Sequence, residues 1–313
     1  MIDTVGILYP GEMGASLASV LQESGCRTVT TTLGRSERTR EYCRQTNIRV
    51  LPSLASVIGE SQMVISLVSP AAAWDVALEC RQWMERGNGA RWFVDANSIS
   101  PLTAQRIAAL FESRGIDFID ASIHGLASQL KQRATLFLSG RAAEGIAPHF
   151  AALSRVRVLP GEAGQASMLK MLLGGMSKGI VALFTEMALA GHRAGLLDEL
   201  LTQSCSFYPG LMEALERLLP TYPRHALRRT EELAELTNTL LALGLPAGML
   251  GEARKTMTHI AGLGLQERYS ARDAENWSVD SVVRAICNHS EPSIDTCDTA
   301  AYAEAQTVGS SPV

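Results

Sequence analysis

Aromatic side chains are scarce in this sequence, at 5% of 313 residues, and lysine is scarcer, with four lysines against twenty-four arginines. So few aromatics leave little material for a base-stacking surface. A formal net charge of -4 argues against non-specific nucleic-acid binding. The six cysteines (Cys26, Cys43, Cys80, Cys205, Cys287, Cys297) include no CxxC pair, so neither a zinc knuckle nor a redox motif is indicated. His149, His192, His225, His259 and His289 show no metal-ligand spacing, and no metal is expected. The chain opens without a basic segment leading into an apolar one, and no apolar run reads as long enough to cross a bilayer. The expectation is a cytoplasmic protein with no nucleic-acid and no membrane partner. Its 46% hydrophobic and 19% charged residues suit a globular chain long enough for two domains.

Two of the four lysines lie in Met168–Thr185, MLKMLLGGMSKGIVALFT, where Lys170 and Lys178 are the only charges. An ammonium taken out of water unpaired is costly, and a buried lysine sheds its proton more readily. Such an amine can serve as a general acid or base. The plainer alternative is a pair of lysines snorkelling from a core helix. On a helix the two are separated by a rise of about 12 Å and a rotation of about 80°, so both cannot act on one atom. One of them can therefore transfer a proton while the other holds a distal anionic group or a carboxylate partner, for Lys178 one such as Glu186.

The first half alternates short apolar runs with helical patterns. Strands are predicted at Thr4–Leu8, Thr28–Leu33, Arg49–Leu51, Met63–Leu67, Trp92–Asp95, Asp117–Asp120, Thr135–Ser139 and Arg155–Leu159. Helices are predicted at Met13–Glu23, Ser36–Gln45, Ala71–Met84 and Thr103–Ser113. This alternation predicts an α/β class with a Rossmann, doubly wound parallel sheet over residues 1–160. From Gly161 helical patterns dominate, predicting an all-α substrate and dimerisation domain over residues 161–275. Its first helix, about Gly164–Ala194, is apolar on most faces and would be covered by neighbours or by a second subunit, so a homodimer is expected. Arg224-His225 and Arg228-Arg229 read as a solvated face. Residues 276–313 read as a polar tail.

The first strand runs into Tyr9-Pro10-Gly11-Glu12-Met13-Gly14, and a helix follows. Strand, glycine turn and helix are the setting of a dinucleotide site. Gly11 would let backbone approach a pyrophosphate at the helix N-terminus, and Gly14 would let the helix pack closely on the strand. The match is imperfect: Tyr9 stands where the first fingerprint glycine would fall, Pro10 has no N–H, and Glu12 places a carboxylate nearby. At the end of the second strand, Gly34-Arg35-Ser36 offers an arginine and a hydroxyl where an NAD-preferring site has an acid. That favours NADP(H), with NAD(H) as the alternative.

Four further blocks follow in order. They are Ser66-Leu-Val68-Ser69-Pro70, Asp95-Ala-Asn97-Ser98-Ile-Ser100-Pro101, Phe118-Ile-Asp120-Ala-Ser122-Ile-His124-Gly125 and Gly161-Glu-Ala-Gly164-Gln-Ala-Ser-Met-Leu-Lys170. This series resembles the β-hydroxyacid dehydrogenase family, which includes 3-hydroxyisobutyrate and 6-phosphogluconate dehydrogenases and is related to imine reductases. The resemblance covers roughly residues 4–195, and the second half looks like a branch with a distinct C-terminal domain. It implies that Lys170 is the catalytic lysine, that Ser98 is a hydroxyl of the substrate site, and that Ser122 to Gly125 form the loop holding a substrate carboxylate. Val68, Ser69 and Asn97 would border the nicotinamide. Two departures stand out: His124 occupies the place of a small serine, and Leu173 and Gly174 stand where the family has asparagines.

The function expected is an NADP-dependent oxidoreductase moving a hydride between nicotinamide and a 3-hydroxy acid, or the matching keto or semialdehyde compound. Lys170 would carry the proton and Ser98 would hold the same oxygen. A C=N substrate would make the chain an imine reductase, and a catalytically idle, cofactor-binding regulatory protein is the alternative outside catalysis.

Overall fold

A computed structural model describes residues 2–87, 89–267 and 277–290. The chain divides into two compact units, Met1–Met176 with Glu235–Pro246, and Ser177–Ala234 with Ala247–Val313.

The first unit is built on one eight-stranded sheet. In chain order its strands are β1 Thr4–Leu8, β2 Arg27–Thr31, β3 Arg49–Leu51, β4 Met63–Ser66, β5 Trp92–Asp95, β6 Asp117–His124, β7 Thr135–Ser139 and β8 Arg155–Val158. Their spatial order is β3-β2-β1-β4-β5-β6-β7-β8. All neighbours are parallel except β6 and β7. This is the Rossmann arrangement expected from the alternating runs, extended by an antiparallel step. Strand side chains alternate between two cores: Met63 and Ile65 join one cluster and Val64 the other. Both faces are thus covered, which is why the strands read as continuous apolar runs.

Helices α1 Glu12–Glu23, α2 Glu37–Gln45, α3 Leu54–Glu60, α4 Pro70–Met84, α5 Pro101–Glu112 and α6 Ala143–Ile146 join these strands. Several starts are written in the sequence as serine caps: Ser36, Ser53 and Ser100 accept the N–H groups of Thr39, Ser56 and Thr103. Helix α3 has no counterpart among the predicted helices. At seven residues it is too short for periodicity to reveal, although Ser53 followed by buried Leu54, Val57 and Ile58 is a capped amphipathic turn. The Phe111 ring of α5 stacks on Phe93 of β5 at 4.3 Å between centroids, holding α5 to the sheet.

Two strand predictions need correction. β2 ends at Thr31, so Thr32 and Leu33 already belong to the turn. β6 runs on to His124, so the segment expected as a carboxylate-holding loop is strand through residue 124. It pairs with β7, with Ser122 opposite Phe137 and His124 opposite Thr135.

Register aligns a row of residues across one end of the sheet: Leu8, Ser66, Asp95, Asp120 and Ser139 are successive neighbours on β1, β4, β5, β6 and β7. All five are at most 1% exposed. Four polar groups buried side by side need partners, and these partners organise the site.

Helix α7, Gln165–Arg193, opens within the residues of the first unit and ends within those of the second. By length and composition alone it is apolar enough to cross a membrane, with a mean hydropathy of 1.3 over its most apolar window, contrary to the expectation drawn from the sequence. A core helix passes the same test.

The second unit is helical: α8 Leu197–Phe207, α9 Pro209–Leu218, the first turns of α10 Tyr222–Ala242, α11 Gly248–Gly262 and α12 Val279–His289. Its core gathers Val181, Leu215, Tyr222, Leu233, Met257 and Ile260, with Val282 and Ile286 of α12. Part of the expected tail is therefore structured. Val279, Val282, Val283, Ile286 and Cys287 are buried at helical spacing behind a Ser278–Ser281 capping box. The rest of that expectation, at residues 276 and 291–313, lies outside the described residues.

Candidate active site

The site is assembled at the ends of β1, β4, β5 and β6. After β1, Gly11 occupies the N-cap position of α1 and contributes no side-chain cap. The first N–H groups of α1 have no acceptor within the helix and face the turn. A Cβ placed on Gly11 would meet nothing within 4 Å, so the approach to these N–H groups is open. The room around the turn therefore suits a pyrophosphate. Gly14 is buried, but a Cβ there would find Ile7 at 3.5 Å and Leu67 at 3.7 Å. Those are ordinary contacts, so packing alone does not demand glycine at 14. Met13 packs against the sheet core and Glu12 is exposed.

Beyond β2, the Arg35 guanidinium lies 3.6 Å from the centre of the Tyr9 ring. Burial raises the Tyr9 phenol above its ordinary value, against the lowering effect of Arg35. Tyr9, which breaks the glycine fingerprint, is thus a platform on which a cation is held in place. Gly34 lines an open cavity of about 440 Å³ with Thr32, Leu33, Val50 and Arg40. Arg40 was not expected there, and it is paired with Glu37 at 3.1 Å. The Ser36 hydroxyl is engaged in capping α2.

Asn97 behaves differently from the expectation. It is 3% exposed, its Oδ1 accepts from the Val68 N–H at 2.6 Å, and its Nδ2 donates to Ser66 Oγ at 3.1 Å. Its amide is turned inward and ties the end of β4 to the end of β5. Ser69, exposed before α4, makes no side-chain cap bond. Asp95 Oδ1 accepts the Asn97 N–H at 2.9 Å, while its Oδ2 has no partner among the described residues. Burial, with Asp120 adding, pushes the Asp95 carboxyl up to about 7.

One residue past Asn97, Ser98 is exposed, and its Oγ accepts from the Lys170 Nζ at 2.9 Å. Lys170 itself is half-buried. His124 reaches solvent at the end of β6, yet protein around its other side desolvates it. That desolvation, with the Lys170 charge second, holds its imidazole below the ordinary value. The structure thus brings together Ser98, Lys170 and His124. Ser122 is 1% exposed, and its hydroxyl has no partner among the described residues. Gly125 has a φ of +144°, and a Cβ there would stand 2.7 Å from that of Ala134, so glycine is required by close backbone passage.

The start of the helix that carries Lys170 is held by a residue to which no role was given from sequence. Asp120 Oδ2 accepts the N–H of Gly164 at 2.9 Å, the N–H of Ser167 at 3.0 Å and the Ser139 hydroxyl at 3.0 Å. Its Oδ1 accepts the Ser167 hydroxyl at 2.7 Å. The Ser139 oxygen in turn accepts the Ala166 N–H at 3.0 Å. The opening N–H groups of α7 are therefore capped from the sheet.

A glycine turn at the strand ends and a lysine on a serine can arise in more than one family, and comparison with known proteins decides the matter. Residues 4–161 match the family model described as the NAD binding domain of 6-phosphogluconate dehydrogenase. Residues 191–260 match a domain of unknown function, DUF1932. A conserved protein whose solved structure is described as similar to 3-hydroxyacid dehydrogenases is 30% identical, with a TM-score of 0.68 over 84% of this chain and 98% of its own. The chain belongs to the β-hydroxyacid dehydrogenase family. At 19% identity, the 3-hydroxyisobutyrate dehydrogenase of Salmonella typhimurium shares the fold, with a TM-score of 0.65 over 90% of this chain and 99% of its own. So does an imine reductase variant from Myxococcus stipitatus solved with NAD+, at 18% identity and a TM-score of 0.58 over 86% of this chain and 99% of its own. Family membership supports an NAD(P)-dependent oxidoreductase.

Within this member of the family, Lys178 has another setting. In the second unit its Nζ pairs with Glu232 Oε2 at 2.8 Å, and Arg228 holds the other oxygen of Glu232 at 3.2 Å. Glu186, the partner expected from sequence, instead accepts from the Thr256 hydroxyl at 2.7 Å. Burial opposes the Glu232 charge, but Lys178, Arg228 and Arg229 together hold its carboxyl below the ordinary range. Nor is the 224–229 stretch wholly solvated: Arg229 stacks 3.5 Å from the centre of the buried Tyr222 ring.

Proposed function

We propose that the chain is an NADP-dependent oxidoreductase acting on a 3-hydroxy acid or on the matching keto or semialdehyde compound. The observation that carries this reading is the Lys170–Ser98 hydrogen bond at the strand ends. The first turn of α1 would hold the pyrophosphate, with Ser69 beside the nicotinamide, and Arg35 on its Tyr9 platform would meet a 2′-phosphate. When bound, the nicotinamide supplies the hydride chemistry. Lys170 takes the substrate hydroxyl proton in oxidation and returns it in reduction, and Ser98 holds the same oxygen by a hydrogen bond. The His124 imidazole, kept neutral near pH 7, adds no second positive charge beside Lys170. Backbone N–H groups around His124 and Gly125 would receive a substrate carboxylate. Asn97 acts indirectly, by fixing the Val68 and Ser98 segments.

Leu173 and Gly174, standing in place of the asparagines, leave a second reading open, reduction of a C=N substrate. A homodimer through α7 belongs to the same proposal. Leu172, Met176, Leu183 and Met187 are exposed along the helix at spacings that return to one side, as a second copy would require.

The test is turnover with NADPH and NADH over a panel of 3-hydroxy acids, their keto and semialdehyde counterparts, and cyclic imines. Turnover on the oxygen compounds with preference for NADP(H) supports the reading, turnover on imines alone replaces it with imine reduction, and cofactor binding without turnover on any member defeats catalysis.

A further inference from the structure

We propose that Asp120 is the positioning residue for Lys170, fixing from the sheet the height and rotation at which the amine meets Ser98; this rests on the reading of Lys170 as the proton carrier. Asp120 is 1% exposed and receives four donors, from Gly164, Ser139 and twice from Ser167. Three of those donors belong to the chain entering α7. Lys170 follows Ser167 by three residues, about 4.5 Å of helical rise. A helix start anchored at both the backbone and the side chain of Ser167 leaves the next turn little freedom to rotate. A carboxylate at this end also suits the helix dipole.

The other side of the contact is fixed from the neighbouring strand. Asp95 lies opposite Asp120 in register and accepts the Asn97 N–H, immediately before Ser98. α5 then begins at Pro101. Gly164, with φ +102°, brings α7 against that same start: a Cβ on it would stand 3.0 Å from Gln105 Cγ and 3.1 Å from the Pro101 carbonyl. Two neighbouring carboxylates on adjacent strands thus hold the two partners of one hydrogen bond. None of this is visible in the sequence around Asp120 itself, since its donors lie 19 to 47 residues away.

The chain has only four lysines, Lys131, Lys170, Lys178 and Lys255, so each can be followed separately. Reductive ¹³C-methylation of the full chain gives one dimethyl-lysine NMR signal per site, and Lys170→Met identifies the signal of Lys170. Asp120→Asn keeps one acceptor oxygen and the side-chain volume. Ser167→Ala removes only the hydroxyl donor and is the milder variant should Asp120→Asn fail to fold. In either variant the Lys170 signal is expected to move, and its titration midpoint to shift by about half a pH unit. The other three lysines should keep theirs. On any substrate the wild type turns over, kcat is expected to fall about ten-fold at unchanged NADPH affinity. A lowered Tm with an unmoved Lys170 signal and midpoint would overturn the positioning role and leave a purely structural cap. Unimpaired turnover in Lys170→Met would instead overturn the proton-carrier reading, while the NMR result still decides whether Asp120 sets the lysine.

Discussion

The Lys170 amine donates to Ser98 Oγ across 2.9 Å, although 72 residues of chain separate the two. Each partner is held by a buried carboxylate of the sheet, Lys170 through Asp120 and the start of α7, Ser98 through Asp95 and Asn97. Under the proposed function, Lys170 would be the proton carrier and Ser98 the oxygen-holding hydroxyl that oxidation of an alcohol requires when a nicotinamide takes the hydride.

The Lys170 charge should be readable at His124. Desolvation and then Lys170 hold the His124 imidazole below its ordinary value of 6.5. A histidine depressed in the folded state favours the neutral ring, so its contribution to stability is present above the ordinary value and is lost as pH falls through the folded one. Lys170→Met removes the second cause and should raise the His124 midpoint, as followed by NMR titration of the ring. An unmoved midpoint would mean that the two groups do not sense one another.

Asp95 gives stability a pH dependence of the opposite hand. Its folded value of about 7 lies above that of an unfolded aspartate, so the folded state prefers the protonated acid. The contribution is whole below the unfolded value near 4 and declines as pH rises towards 7, at about 1.4 kcal/mol per unit of difference. Asp95→Asn removes this dependence. Thermal melts at pH 5 and pH 8 should show the variant gaining on the wild type at the higher pH, and a constant difference between the two proteins would contradict it.

Arg35 should decide between the two nicotinamide cofactors. Loss of one charge-assisted contact to a 2′-phosphate is expected to weaken NADPH binding roughly 10- to 100-fold in Arg35→Ala. NADH, which lacks that phosphate, should bind the variant and the wild type alike. Calorimetric titration of both cofactors checks this, and equal weakening of the two would assign Arg35 to the shape of the turn.

Lys178 should matter for folding and leave cofactor binding untouched. Its pair with Glu232 is partly exposed on the glutamate side, with 40% of that side chain accessible, and Arg228 stays in place when Lys178 is replaced. The Lys178 side chain itself is only 11% accessible, so Lys178→Met is expected to cost about 2 kcal/mol in a denaturant titration. A loss of NADPH affinity at unchanged stability would return Lys178 to the ligand-binding groups.

The sheet was legible because its strands are short apolar runs, as at Met63–Ser66. Lys170 was conspicuous because it is a charge in an apolar helix. Its anchor was not, since Asp120 reads as one acid in a strand until its donors converge on it from elsewhere in the chain. Ser122 and Asn97 were expected at the site from residue type alone. A residue type suited to ligand binding says nothing of which way it faces, and both are buried in the sheet end. A carboxylate partner for Lys178 was expected, but not its identity, because Glu186 on α7 is close in sequence, whereas Glu232 comes from α10. The α12 helix was hidden by the polar residues around its apolar stripe.

The most direct measurement is a comparison of Lys170→Met with wild type on whichever oxygen compound the wild type turns over, with NADPH affinity measured on the same samples. Turnover reduced about 10²- to 10⁴-fold at unchanged NADPH affinity is the expected result. Turnover within a factor of two of wild type would contradict the assignment of the proton to Lys170.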